Sequence, residues 1–284
     1  MKVAFVTDSG CGKNVQKLKE KGIFSLPLQI SYRDKNMLDL EEISLKELYK
    51  YIREEKELKT SLPPVGLIEE LFVSLKEQGY DMIFAVPICA GLSGTIQAMN
   101  LAAQQVGIKF DYIDCHVTAV VQEYLIETAK ELYEEGKDFD EIKILLQQVI
   151  DSCDTLILPN DLQHLKRGGR LTPVAATLAG LLKIKPFLRI DKETHGKIDV
   201  VDKVRTMSKA MDRVIVYMKE HGVDNSYMIT VAHADDEDLG KVFQNKLKEA
   251  FPKAEHNFIL LVSVVGVHTG IGAQCIQYFK KLTR

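Results

Sequence analysis

At 284 residues, 46% of them hydrophobic, the chain is long enough for one large or two ordinary domains around a sizeable core. Lys plus Arg number 37 against 40 for Asp plus Glu, and a formal net charge of -3 offers no general pull toward nucleic acid. Transient contact with a membrane surface through a local basic patch stays open. The five cysteines, Cys11, Cys89, Cys115, Cys153 and Cys275, are scattered and odd in number, which gives no close pair for a zinc site or redox dithiol. They are expected in the core or in a cavity wall. The apolar run after Met1 is too short for a secretory signal, and "FILLVSVVGV" is too short to span a bilayer, so a cytoplasmic chain is expected.

In chain order, "KVAFVTD" and "FSLPLQIS" read as strands, and "SLKELYKYIREE" as an amphipathic helix with capping-box spacing between Ser44 and Glu47. A helix "VGLIEELFVSLKEQG", a strand "DMIFAVPI", a helix "TIQAMNLAAQQVG" and a strand "KFDYID" follow. Two more helical patterns lead to the strand "DTLILP". Short apolar strands between longer helices predict parallel βα units in a layered α/β fold.

The second half opens on "DLQHLKRGGR", read as a basic glycine-containing turn, and on "TPVAATLAGLL", read as a close-packed helix. "KPFLRID" and "KIDVVDKV" read as two strands around a turn with His195 and Gly196. The remaining order is helix "TMSKAMDRVIVYMKEHG", strand "SYMITVAHA", helix "EDLGKVFQNKLKEAF" and strand "HNFILLVSV". A boundary near 157–170 divides the chain into an N-terminal α/β domain, 1–160, and a C-terminal one, 161–284.

Four segments are expected where elements give way to loops, the usual place for ligand contacts in layered α/β folds. They are "VTDSG" with Asp8 and Ser9, "LKTSLPP" with Thr60 and Ser61, "CAGLSGTIQ" with Gly91, Ser93, Gly94 and Thr95, and "GVHTGIGA" with His268, Thr269 and Gly270. The second follows a helix, so its placement is weaker. Unpaired N–H groups and converging hydroxyls suit an anion, although Thr95 would equally cap a helix over a tight turn. No segment matches a complete phosphate loop or dinucleotide fingerprint. His268 is open to four readings: anion contact, metal ligand, acid–base catalyst or turn filler. Asp8 and Asp114 read as strand-end acids that cap turns or orient a catalytic group. Arg170, in the exposed-looking "KRGG" turn, and Arg205 read as a solvated face or as a patch for a partner or phosphate.

Taken in order, "FVTDS", "TSLPP", "GLSGT", "DTLILPNDLQHLKRGGRLT", "LLKIKPFL" and "GVHTGIGA" resemble the DegV family of bacterial fatty-acid-binding proteins, which includes the binding subunits of fatty acid kinase. The resemblance runs nearly end to end. It implies a two-domain DegV-like α/β fold with a lipid cavity between the domains and a long-chain fatty acid as ligand, with no catalytic residue, metal or other cofactor. By resemblance the carboxylate is held by Thr60 or Ser61, Ser93 and His268. Arg170 and Arg205 would present the loaded protein to a separate ATP-dependent kinase, which phosphorylates the carboxylate. Two departures stand out: Cys89 and Ala90 precede "GLSGT" where a polar residue is usual, implying a drier or smaller edge of the site, and Leu62 stands where glutamine is common. A small-molecule hydrolase or transferase using His268, and a lipid sensor without a kinase, are the alternatives.

Overall fold

The computed structural model describes residues 1–178 and 184–283. Its first sheet is built from β1 (Val3–Asp8), β2 (Phe24–Leu26), β6 (Met82–Ala85) and β7 (Lys109–Tyr112), in the order β2-β1-β6-β7 and parallel throughout. Both faces are covered, which is why these strands read as nearly continuous apolar runs. Ala4 and Val6 face α3 (Val65–Glu77) and α4 (Thr95–Val106), while Phe5 and Phe84 face α5 (Val120–Glu134) and α6 (Phe139–Asp151). The parallel βα expectation holds here.

A second, six-stranded sheet follows the order β10-β9-β8-β13-β11-β12. Its strands are β8 (Asp154–Leu158), β9 (Lys185–Ile190), β10 (Asp199–Val204), β11 (Tyr227–His233), β12 (Glu255–Leu260) and β13 (Gln274–Lys280). This sheet is mixed: β11 and β12 are parallel, and the other pairs are antiparallel. One face packs on α9 (Met207–Glu220) and α10 (Glu237–Ala250) through Leu156, Ile229, Val231 and Ile276. Phe279 of β13 joins the α5 and α6 core of the first half, so the two sheets share an apolar seam.

A third, antiparallel sheet has the order β4-β3-β5, formed by β3 (Gln29–Tyr32), β4 (Lys35–Leu38) and β5 (Leu58–Ser61). The predicted single strand "FSLPLQIS" is therefore two strands in different sheets, broken at Pro27 and Leu28. Behind this sheet lies α2 (Leu45–Arg53), whose Ser44 and Glu47 form the predicted capping box.

Two local readings are corrected. "DLQHLKRGGR" is not simply a turn: Leu162–Arg167 form helix α7, capped by the Asp161 carboxylate, because Leu165 is buried in the core beneath it. "HNFILLVSV" does not continue as one strand; β12 stops at Leu260 and Ser263–Thr269 form α11. The apolar character that suggested a strand there is spent on a short helix with five buried residues. Of the helix expected over "TPVAATLAGLL", Pro173–Thr177 is α8, and residues 179–182 lie outside the described residues. The remaining helix, α1 (Val15–Glu20), and strand β13 were not anticipated.

Candidate functional site

Between the loops that follow β6 and β7 of the first sheet and one face of the second sheet, closed on a third side by β5 and α11, lies a cavity. Its walls are chiefly aliphatic, with Ile88, Leu92, Ile157, Ile190, Ile259 and Val264 among them. Thr60, Ser61, Ser93, Arg170, His268 and Thr269 also line it.

These polar groups come from β5, the turn before α4, the segment after α7, and α11. Thr60 and Ser61 end β5, correcting the expectation that they follow a helix: Ile30 pairs with Thr60 and Gln29 with Ser61 across the small sheet. Strand alternation then separates the two side chains. Thr60 is half-buried with its Oγ1 2.7 Å from His268 Nε2, whereas Ser61 is exposed. Ser93 precedes α4, and its hydroxyl lies 2.8 Å from Thr95 Oγ1. Thr95 does not cap that helix. Gly94 occupies the cap position without a side-chain bond.

His268 sits in the last turn of α11, not in an open loop. Burial is the main reason its imidazole is pushed down to about 3, and the nearby Arg170 and His164 act in the same direction. The ring is therefore neutral at physiological pH, able to donate from one nitrogen and accept at the other. Gly168 packs against its second edge: a Cβ there would stand 2.6 Å from Nδ1. Among the described residues the only side chain hydrogen-bonded to the ring is that of Thr60, and no carboxylate orients it. The arrangement lacks the third member that an activated base uses. Among the described residues there is no cluster of three or more His, Cys, Asp or Glu suited to a metal.

Arg170 is half-buried and lines the cavity, where the sequence placed it in an exposed turn. Its Nη1 donates to the Gly168 carbonyl at 2.6 Å and its Nε to the Leu92 carbonyl at 3.4 Å. Among the described residues no carboxylate pairs with it. Burial lowers its proton affinity, yet a guanidinium remains charged at neutral pH. Arg205 is elsewhere, exposed just before α9.

The other singled-out residues lie outside the cavity, apart from Thr269. Asp8 is fully buried and binds the Gly10 and Ile88 amides and the Gln122 side chain, joining β1 to the loop after β6. Burial pushes its carboxyl up to about 6. Ser9 accepts from Leu28 N and donates to Asp39, whose carboxyl burial also raises to about 6. Gly91 meets the backbone of His195 and Gly196, which a Cβ would reach at 2.4 and 2.3 Å. Thr269 Oγ1 donates to the Val265 carbonyl, and Gly270 ends α11 at φ 74°. Asp114 lies beyond β7 and accepts from the amides of Ala90 and His116. Cys89 points at the Gly196 carbonyl and is absent from the cavity wall; Cys275 is the cysteine that lines it. Leu62 likewise faces the α3 and α4 core.

Sequence reasoning missed a second polar row on the wall: Thr155, Thr230 and Gln277 from the sheet, with Thr118 opposite. No motif marks them. The stretch "QCIQYFK" has its polar residues three apart and so lacks the period-two alternation that would have marked β13 as a strand.

A family model described as an uncharacterised protein of the DegV family matches residues 2–281. A DegV domain-containing protein of Streptococcus pyogenes serotype M3 is 30% identical over 275 residues, covering 96% of this chain and 97% of its own. The crystal structure of a fatty acid binding DegV family protein from Streptococcus agalactiae superposes with a TM-score of 0.89 at 29% identity, covering 99% of this chain and 100% of that one. DegV, a fatty acid binding protein from Bacillus subtilis, gives 0.85 at 28% identity with the same coverage. A match spanning both halves of the chain, on a shared fold, places this protein in the DegV family.

Proposed function

We propose that this protein binds one long-chain fatty acid in the cavity between 1–160 and 161–284, with the carboxylate at Thr60, Ser61, Ser93 and His268. The observation that carries this reading is the Arg170 guanidinium, without a carboxylate partner among the described residues, facing a chiefly aliphatic cavity beside the Thr60 and His268 pair. Burying a carboxylate without hydrogen bonds is costly, and these groups supply the partners together with one compensating charge. An acyl chain of about 16 carbons gains roughly 10 kcal/mol from leaving water, at about 0.8 kcal/mol per CH₂, before association and ordering reduce it. The fatty acid binding relatives from Streptococcus agalactiae and Bacillus subtilis support the ligand class. Native mass spectrometry of protein purified without added lipid tests it: a retained mass of one fatty acid is expected, and a protein that neither retains nor takes up any fatty acid refutes it.

In this reading the protein is a carrier that presents its ligand to a separate ATP-dependent kinase and performs no turnover alone. Support comes from the family resemblance and from the exposed cations Lys166, Arg167 and Arg205. Lys166 and Arg167 lie on α7, whose His164 is 2.8 Å from the Val267 carbonyl of α11, so a partner seated there would adjoin the helix carrying His268. Acyl-phosphate formation that requires both the loaded protein and a kinase is the expected result. Its absence with every fatty acid kinase tried would leave a lipid carrier or sensor.

A further inference from the structure

We propose that the cavity carries a second recognition point, for an oxygen atom placed along the acyl chain, so that hydroxylated long-chain fatty acids bind in preference to plain ones. The inference rests on the fatty-acid reading above and deepens it to a ligand class.

The observation is a row of polar side chains across the six-stranded sheet. Thr155 of β8 pairs with Gln277 of β13, which pairs with Thr230 of β11, and all three line the cavity. The adjacent row on the same face, Ile157, Cys275 and Ala232, is apolar. Alternation turns Leu156, Ile276, Ile229 and Val231 to the opposite face, against α9 and α10. The polar row is thus presented to the ligand by strand geometry. Thr230 lies three residues before His233, whose partner Leu260 ends β12 shortly before α11. At about 3.4 Å per residue, the row is roughly 10 Å along the sheet from the end that leads into the His268 helix.

Hydrogen-bond accounting then separates these groups. Gln277 is satisfied: its Nε2 donates to the Thr118 carbonyl at 2.9 Å and to Thr155 Oγ1 at 2.8 Å, and its Oε1 accepts from Val121 N at 3.0 Å. Thr118 Oγ1 donates within the Gly10 and Gln122 cluster. Thr155 accepts from Gln277 and makes no other side-chain bond among the described residues. Thr230 is 1% exposed, and its Oγ1 has no partner among the described residues.

A buried hydroxyl without a partner is costly, and valine would fill the same shape without that cost if only hydrocarbon passed there. A hydroxyl on the acyl chain can accept from Thr230 and donate back. No Lys, Arg or His belongs to this row, so a second carboxylate is a poorer fit than a neutral oxygen.

The test titrates delipidated full-length protein with stearate and with monohydroxystearates that differ in hydroxyl position. At least one hydroxy isomer should bind on the order of 5–10-fold more tightly than stearate, the gain from one neutral hydrogen bond. Thr230→Val should abolish that preference while retaining stearate, and Thr230→Ser should restore it; circular dichroism confirms that both variants fold. Stearate binding with no hydroxy isomer preferred overturns this inference alone, as does a preference that survives Thr230→Val, in which case the Thr230 hydroxyl is met by water. Failure of every acid to bind overturns the fatty-acid reading with it.

Discussion

Thr60 Oγ1 stands 2.7 Å from His268 Nε2 across 208 positions of sequence, joining an edge strand of the smallest sheet to the last turn of α11. Each holds the other's polar atoms at the cavity wall. His268→Ala or Ser93→Ala should therefore weaken fatty-acid binding by about 1–3 kcal/mol, the cost of leaving a buried carboxylate one partner short. Binding titrations on variants shown to be folded by circular dichroism check this. Unchanged affinity in both would refute the carboxylate placement.

The same burial fixes the charge of the imidazole. His268 is held down to about 3 from an ordinary 6.5, so the unfolded chain binds the extra proton between those values. Its contribution is thus unfavourable to folding as pH falls from about 6.5 toward about 3 and absent above that window. In the ligand-free protein the His268 ring resonances should not titrate between about pH 5 and 8. A midpoint near 6.5 by NMR would contradict the neutral-imidazole site.

Gly168 provides a substitution aimed chiefly at the ring. Its backbone is right-handed helical, at φ -63°, so alanine is tolerated by the chain, but the new Cβ would meet His268 Nδ1 at 2.6 Å. Gly168→Ala should lower fatty-acid affinity several-fold and also lower the melting temperature, because the buried ring and the Leu165 carbonyl must both give way. If affinity is retained, the ring has room to move and its position is less constrained than the packing implies.

The two arginines should separate. Arg170 lines the cavity with only carbonyl partners among the described residues, whereas Arg205 is exposed. Arg170→Ala should lose lipid, and Arg205→Ala should retain it yet slow acyl-phosphate formation by a kinase. Lipid occupancy and phosphorylation measured on the same samples distinguish the roles. Normal phosphorylation by Arg205→Ala would remove its docking role.

A further pH effect arises away from the ligand. Asp154 is buried beside Tyr217 and Tyr278, and its carboxyl is pushed up to about 7, chiefly by burial and then by Asp191. Because this folded value exceeds the ordinary 3.8, the native state holds the extra proton between them, and stability falls as pH rises through about 7. Denaturant melts should show wild type gaining stability from about pH 8 to about pH 5, and Asp154→Asn should flatten that gain. An equal slope in both would assign the effect to other groups.

Local pattern alone determined much of this molecule. Continuous apolar runs marked the parallel strands because both sheet faces are covered, and 3.6-residue periodicity marked the long helices because one face of each is buried. Ordered short motifs also placed Thr60, Ser61, Ser93 and His268 among the ligand candidates. What the tertiary structure decided was proximity and environment. Whether Thr60 or Ser61 faces His268 depends on the register of β5 against β3, and Arg170 changed from a surface cation to a cavity residue once α7 buried Leu165. Thr155, Gln277 and Thr230 form one row only because β8, β13 and β11 pair in that register. Such facts are set by contacts between residues far apart in the chain, and a window of sequence carries no energy for a contact whose partner lies outside it.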